Sequence, residues 1–417
     1  MRHDRERTAA LLASWGVDAL VGTSFENVHY LTGISKWPLT QRKPHMMSPG
    51  RSGRPPQVLA VVTADGATVL LAEAGAAGNA AAAWADECRL CGAGLGPDAP
   101  LAELAAEGQL GRLRDALRSS SADDTPVTLL ARCAAEMGWG SGTRVGVELV
   151  GLPESEGISL RTAAAAAGAA TGDCTECLRL LRMVKTGPEV ELMRRAARVA
   201  ERAASAALDG ATAGTRLADV RGSFAAAVAT EGAAIEHFAF CPYGMVLTEA
   251  GDYRLQPGDA MFLDYGCVLD GYYSDSGITL SVGPLGGARL DTYHLLGAAE
   301  DAARQLLHPG TAAFQVQAAM AQIMREASLD AFPHGHGLGL EMRDYPILVP
   351  DTGLRIRDDF VDLPADLTIE EGMVINLEAP LFEPGIGSLH RERSFLVTAV
   401  GAEPLVHQDR SAPLTVG

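Results

Sequence analysis

The chain has no run of 18 unbroken apolar residues, so no hydrophobic membrane-spanning helix is expected. Its opening stretch, MRHDRERTAALLASW, carries charges through its first turn and leads into no apolar core. Neither a leader peptide nor an anchor is expected, and a cytoplasmic location is. Basic residues are scarce: 34 Lys and Arg stand against 52 Asp and Glu, a net charge of -18 over 417 residues. A surface that acidic repels phosphate, which argues against nucleic acid and anionic membrane as partners. A disulfide framework is not expected either, because seven cysteines is an odd count in a long chain. Cys88/Cys91 and Cys174/Cys177 form two CxxC pairs, but they stand much further apart than the roughly 15–20 residues of a paired zinc site. They read as ordinary thiols. The acidity has one local exception. Ser35 to Gln57 holds Lys36, Arg42, Lys43, Arg51, Arg54 and five prolines but no acid. It reads as a loop, either a plain connection or a basic lid over a site that receives an anionic substrate.

A chain this long exceeds one ordinary core, so two domains are expected, 1–175 and 176–417. The first alternates helix and strand, with VLAVVT and ATVLLAE as a hairpin around Asp65-Gly66. A helix start stands out at VKTGPEVELMRRAARVAERAASAAL. Thr186 can cap it, Pro188 suits its first turn, and Glu189 completes a capping box. Val190, Met193, Ala197, Ala200 and Ala204 then share one face. This helix, 189–209, and others over 216–231, 288–307 and 312–327 are expected, interleaved with strands near 260–282, 373–381 and 393–400. Antiparallel strands packed with helices mean an α+β second domain. No repeat occurs.

The chemistry concentrates in that second half. In GDAMFLDYGCVLDGYYSDSGITLSVG, the Asp270-Gly271 step between aromatic and β-branched runs is a type I′ hairpin signal. If those two residues form the loop, Leu269 pairs with Tyr272, Asp264 faces Gly277, and Asp275 faces Gly266. Asp264 and Asp275 then share a face as diagonal neighbours, roughly 7–8 Å apart at the backbone. Two carboxylates so placed repel unless a cation lies between them. In HGHGLGLEMRDYP, His334 and His336 point the same way on an extended strand. Glu378 and Glu392 sit in two further apolar strands joined by a Pro-Gly turn, where an unpaired carboxylate is costly.

RLQPGDAMFLDYGCVLDGYYSDSG, HGHGLGL, GMVINLEAP and HRERSFLVT together resemble the successive metal-site motifs of the pita-bread metallopeptidases, the family of methionine aminopeptidase, aminopeptidase P, prolidase and creatinase. ENVHYLTGI and LLRMVKTGPEVELMRRAAR resemble the N-terminal domain and linker of its prolidase-like branch, so the likeness covers most of the chain in order. It implies a pita-bread catalytic domain behind an α/β creatinase-like N-terminal domain, and commonly a homodimer. It also implies that Asp264, Asp275, His336, Glu378 and Glu392 bind two divalent ions. Four carboxylates and one imidazole suit manganese first, with cobalt, iron or zinc as alternatives. Glu378 is implied as the general base.

Two departures from the family pattern bear on function. The second histidine that peptidases carry seven residues after the metal histidine is replaced by Arg343, followed by Asp344. The histidine expected about eight residues before Leu255 falls on Leu247, or on Thr248 with one residue of slip. A guanidinium cannot shuttle a proton, but it can clamp a carboxylate or steady an oxyanion. The other reading of Arg343 is a surface salt bridge to Asp344. His237, His334 and His390 are candidate stand-ins, His334 in catalysis and the other two in substrate binding. The expected function is a metal-dependent hydrolase of the Xaa-Pro aminopeptidase/prolidase class, acting on a specialised small amide or C–N substrate, a small molecule or dipeptide, rather than on general peptides. The alternatives are a lyase on the same scaffold, as in dimethylsulfoniopropionate lyases, and a metal-free creatinase-like or binding relative.

Overall fold

The computed structural model describes residues 3–35, 58–92, 108–118, 120–121, 125–249 and 251–417. The expected basic lid, Ser35 to Gln57, lies outside the described residues apart from Ser35. Two compact units emerge: Met1–Arg182 with Ile356–Leu363, and Met183–Arg355 with Pro364–Gly417. They differ from the expected halves by the helix Thr175–Leu181, which packs with the first unit, and by the short excursion at 356–363.

The first unit carries a six-stranded mixed sheet. Its strands are β1 (Ala19–Gly22), β2 (Val58–Thr63), β3 (Thr68–Glu73), β4 (Glu87–Cys91), β5 (Arg144–Val147) and β6 (Ala170–Asp173), in the order β4-β3-β2-β1-β5-β6. β2 and β3 form the hairpin predicted around Asp65-Gly66, where Gly66 takes a positive φ of 75°. Leu59, Val61, Leu71, Val145 and Val147 face the helix Pro126–Glu136 in one buried cluster. Buried Glu148 accepts hydrogen bonds from Thr23 N (2.7 Å), Ser24 N (2.8 Å) and Asn27 Nδ2 (2.7 Å), which offset the cost of enclosing its charge. None of the seven cysteines forms a disulfide, and burial pushes the Cys88 thiol up to about 11. Among the described residues, no cysteine joins a cluster of potential metal ligands. No helix there is long and apolar enough to cross a membrane.

The second unit holds a nine-stranded, almost wholly antiparallel sheet backed by four helices. In chain order the strands are β7 (Ala234–Phe240), β8 (Ala260–Leu269), β9 (Tyr272–Val282), β10 (His334–Gly337) and β11 (Asp344–Leu348). β12 (Arg355–Arg357) and β13 (Asp362–Pro364) form a separate ribbon. Then follow β14 (Val374–Glu383), β15 (Gly387–Thr398), β16 (Gly401–Pro404) and β17 (Leu414–Val416). The order is β11-β10-β14-β15-β9-β8-β7, with β16 on β15 and β17 parallel to β9.

The helices run Gly187–Leu208, Leu217–Thr230, Gly287–Leu306 and Ala313–Glu326, within about two residues of their predicted limits. Thr186 and Glu189 close the capping box, Thr186 N donating to Glu189 Oε2 at 2.8 Å. The buried face of the first helix is rotated from the expected one. It shows Leu192, Met193, Ala196, Val199 and Ala200, while Val190 and Ala197 are half-buried. Two acids also lie on that buried face. Glu189 accepts from Tyr272 Oη at 2.8 Å and Glu201 from Tyr265 Oη at 2.8 Å, so both stay inside with hydroxyl partners.

Candidate metal centre

One sheet face collects the reactive side chains through alternation. Asp270 (φ 49°) and Gly271 (φ 91°) make the turn between β8 and β9, so Asp264 faces Gly277 and Gly266 faces Asp275, as the hairpin signal predicts. Gly277 faces Glu392 on β15, Glu392 faces Glu378 on β14, and Glu378 faces His334 on β10. One row across five strands therefore reads Asp264, Gly277, Glu392, Glu378, His334. The neighbouring row holds His237, Gly266 and Asp275 at one end, with Asn376 facing His336 at the other. Gly277 and Gly266 leave gaps in these rows, and Glu392 and His237 lean over them.

The distances are those of a shared site. His336 Nε2 lies 3.3 Å from Asp275 Oδ2 and 3.2 Å from Glu378 Oε1. His334 Nε2 lies 3.1 Å from Glu378 Oε1. His237 Nε2 lies 2.7 Å from Asp264 Oδ1 and 3.6 Å from Asp275 Oδ1. Three overlapping donor groups result: His237, Asp264 and Asp275; Asp275, His336 and Glu378; Glu378, His390 and Glu392. Asp275 and Glu378 each belong to two of them.

The electrostatics ask for cations. Burial and the carboxylates of Asp275, Asp264 and Glu378 push Glu392 well above the usual carboxylate range. Burial likewise raises Asp264 to about 6, with His237 holding it back. Glu378 goes the other way: burial would raise it, but the imidazoles of His334 and His336 beside it outweigh that and hold it well below. His336 rises to about 10 because Asp275 and Glu378 outweigh its burial. Like charge and burial thus push two of the acids up, while the histidines hold a third down. Meanwhile Asp275 Oδ1 and His336 Nε2, both buried, have no hydrogen-bond partner. Orphaned oxygen and imidazole donors pointing at one space fit a pair of divalent ions.

The remaining expected residues separate. Arg343 stands at the open edge, more than half exposed, with a guanidinium nitrogen 3.9 Å from Glu378 Oε1. Asp344, its expected surface partner, is instead buried against Lys185 at 3.6 Å. His390 does not fit the expected substrate contact. It is fully buried, its ring lies on Phe262 at 3.6 Å between centroids, and its Nε2 sits 2.8 Å from Glu392 Oε2. It supports that acid from below. His334 and His237 do reach the site, the latter from β7.

Sequence reasoning missed Asn376 and Glu300. Asn376 Nδ2 donates to Glu392 Oε1 at 2.6 Å, and Ser394 Oγ donates to Asn376 Oδ1 at 2.9 Å, which locks the amide. A polar residue two before Glu378 in an apolar strand was the available signal. Glu300, on the helix behind the sheet, accepts from Arg391 and Arg393, the residues of β15 that point away from the site. Nothing local marks it.

Gly277 carries a prediction. A Cβ there would lie 2.2 Å from Glu392 Oε2 and 2.4 Å from His390 Cδ2. Gly277→Ala is expected to displace Glu392 and weaken metal binding at least tenfold, a change of about 1.4 kcal/mol or more. Titration calorimetry giving wild-type affinity would show that the notch is not needed.

Residues 191–399, half the chain, match metallopeptidase family M24, and residues 5–184 match the Creatinase/Prolidase N-terminal domain. The chain belongs to metallopeptidase family M24. It is 28% identical over 247 residues to the Xaa-Pro dipeptidase of Pyrococcus furiosus, covering 56% of this chain and 66% of that protein. It is 31% identical over 236 residues to the probable dipeptidase PepE of Mycobacterium tuberculosis, covering 55% and 60%. The matched region spans just under two thirds of these relatives. The Xaa-Pro dipeptidase from Bacillus anthracis superposes with a TM-score of 0.72 at 19% identity, over 99% of this chain and 98% of that one. Dipeptidase PepE from Mycobacterium ulcerans gives 0.67 at 23% identity over the whole of both chains. These structural likenesses speak for the fold.

Proposed function

We propose that the chain is a dinuclear-metal-dependent hydrolase of the Xaa-Pro dipeptidase type, acting on a dipeptide or small amide that carries a carboxylate beside the scissile bond. Manganese is the first candidate metal, with cobalt, iron or zinc as alternatives. One observation carries the reading: Asp264, Asp275, His336, Glu378 and Glu392 converge on one sheet face, with a half-free arginine at its rim. The relatives described as Xaa-Pro dipeptidase and dipeptidase support it. The homodimer and the cytoplasmic location belong to the same proposal, and sedimentation at micromolar concentration reads the first of these.

The five side chains would hold the ions, which when bound supply Lewis acidity and lower the pKa of water. The chain's own groups do the rest. Glu378 accepts a proton from the attacking water and passes it to the leaving amine, and His334, 3.1 Å from it, fixes its orientation. Arg343 presents its planar fork to the substrate carboxylate and so sets the distance of the scissile carbonyl from Glu378. A lyase on the same scaffold is the second reading, favoured by the absence of histidine at 247, 248 and 343. Intact donors at all five positions weigh against a metal-free relative, and metal analysis of protein purified without added ions tests that.

The deciding measurement compares Xaa-Pro dipeptides with free and amidated C-termini, with manganese added. Amidation is expected to lower wild-type kcat/KM about ten- to a hundredfold, the loss of one charge-assisted contact of roughly 1.5–3 kcal/mol. Arg343→Ala should erase that preference. Arg343→Lys should nearly erase it, because a point charge lacks the fork. Equal cleavage of both forms by the wild type would eliminate the anchor, and elimination products in place of an amine and an acid would favour the lyase.

A further inference from the structure

We infer that His237 is a sixth protein ligand, supplying Nε2 to the ion held by Asp264 and Asp275, with Glu236 as the group that fixes its tautomer. The inference rests on the dinuclear reading and extends it to a residue on the edge strand β7.

Three observations carry it. First, Asp275 lies between two imidazoles in matching poses. His336 Nε2 is 3.3 Å from its Oδ2 and His237 Nε2 is 3.6 Å from its Oδ1. Second, both rings are held from behind. His336 Nδ1 bonds the carbonyl of Gly337 at 2.9 Å, and His237 Nδ1 bonds the carboxylate of Glu236. Such an acceptor on one ring nitrogen commits its proton there and leaves the other nitrogen as a donor to metal. His334 has a backbone acceptor too, but its Nε2 faces Glu378 and it joins no three-donor group. Third, Asp275 Oδ1, buried and without a hydrogen-bond partner, faces His237. Donors around one ion with bonds of about 2.0–2.2 Å stand roughly 3–4 Å apart; His237 Nε2 is 3.6 Å from Asp275 Oδ1 and, as a hydrogen-bonded pair, 2.7 Å from Asp264 Oδ1.

The strands are built to admit the ring. Gly266 pairs with His237, and a Cβ on Gly266 would lie 2.7 Å from His237 Cε1 and 3.0 Å from its Nδ1. Any side chain there would push the imidazole off the acids. The register shift in β7 between Ile235 and His237 also sets which face His237 occupies. A nitrogen ligand at the Asp264 end favours zinc and cobalt over manganese relative to an all-oxygen pocket.

The test uses the full-length protein loaded with cobalt(II) and carrying ¹⁵N-histidine. Proton NMR counts the paramagnetically shifted, exchangeable ring N–H signals of ligating histidines, and calorimetry gives the affinities of cobalt, zinc and manganese. His237→Ala is expected to lose one such signal. One of its two sites should weaken about a hundredfold for cobalt and zinc and distinctly less for manganese. Glu236→Gln should keep the signal and lose about tenfold in affinity. If His237→Ala keeps two equivalents, all signals and uniform affinities, His237 is no ligand and the dinuclear reading stands. If the wild type binds no ion, both fall. If His237→Ala does not fold, the signal count in the wild type and the affinity of Glu236→Gln decide. A single imidazole signal in the wild type overturns the inference.

Discussion

Asp275→Ala protein should fold, retain less than one equivalent of divalent metal, and lose about a thousandfold or more in turnover. Asp275 belongs to two of the three donor groups, so its loss opens both ends of the centre. Metal catalysis contributes several kcal/mol to the barrier, and each 1.4 kcal/mol is tenfold. Metal-free, variant and wild type should melt close together, because the Asp275 carboxylate both pushes Asp264 and Glu392 upward and partners the His336 imidazole. Added manganese should raise only the wild type, by about 4 kcal/mol at a thousand times Kd. Glu392→Ala should likewise lose metal and turnover. Two equivalents of metal and full turnover in either variant would remove the site assignment.

The second large effect concerns stability. Glu300 is fully buried and bonds Arg391 Nη2 at 2.9 Å, Arg393 Nε at 2.7 Å and Arg393 Nη2 at 3.0 Å. Glu300→Ala strands the charge of two largely enclosed guanidiniums, and breaking such a group costs about 3–5 kcal/mol. Urea unfolding of the second unit should show it. Replacing all three residues with apolar side chains of similar volume should recover most of the loss, because the ions then need no solvation. A single variant with an unshifted midpoint would show that water reaches the arginines. Since Arg391 and Arg393 alternate with His390 and Glu392 along β15, the same variant should also bind metal less tightly.

Much of the centre was legible before any tertiary structure. The pairing of Asp264 with Gly277 and of Gly266 with Asp275 follows from a two-residue turn, since a tight loop leaves one register. The helix at Gly187 is signalled by Thr186, Pro188 and Glu189, which act within four residues. His336, Glu378 and Glu392 are conspicuous as polar groups in glycine-rich or apolar strands. In each case the determining interactions are local.

What only the tertiary structure decided is which strands became neighbours. His237 stands 27 residues before Asp264 in the chain, yet its Nε2 lies 2.7 Å away, because β7 pairs with β8 across a register shift that no local signal fixes. His390 and Arg343, both expected at the substrate, were separated for the same reason. β15 is central, so His390 is enclosed, whereas Arg343 lies just before the edge strand β11 and meets solvent. Asp344 found Lys185, 159 positions away in the chain, instead of the arginine beside it. Spacing along the chain specifies which residues share a face. Burial and strand adjacency, set by the packing of the whole second unit, decide which of them meet.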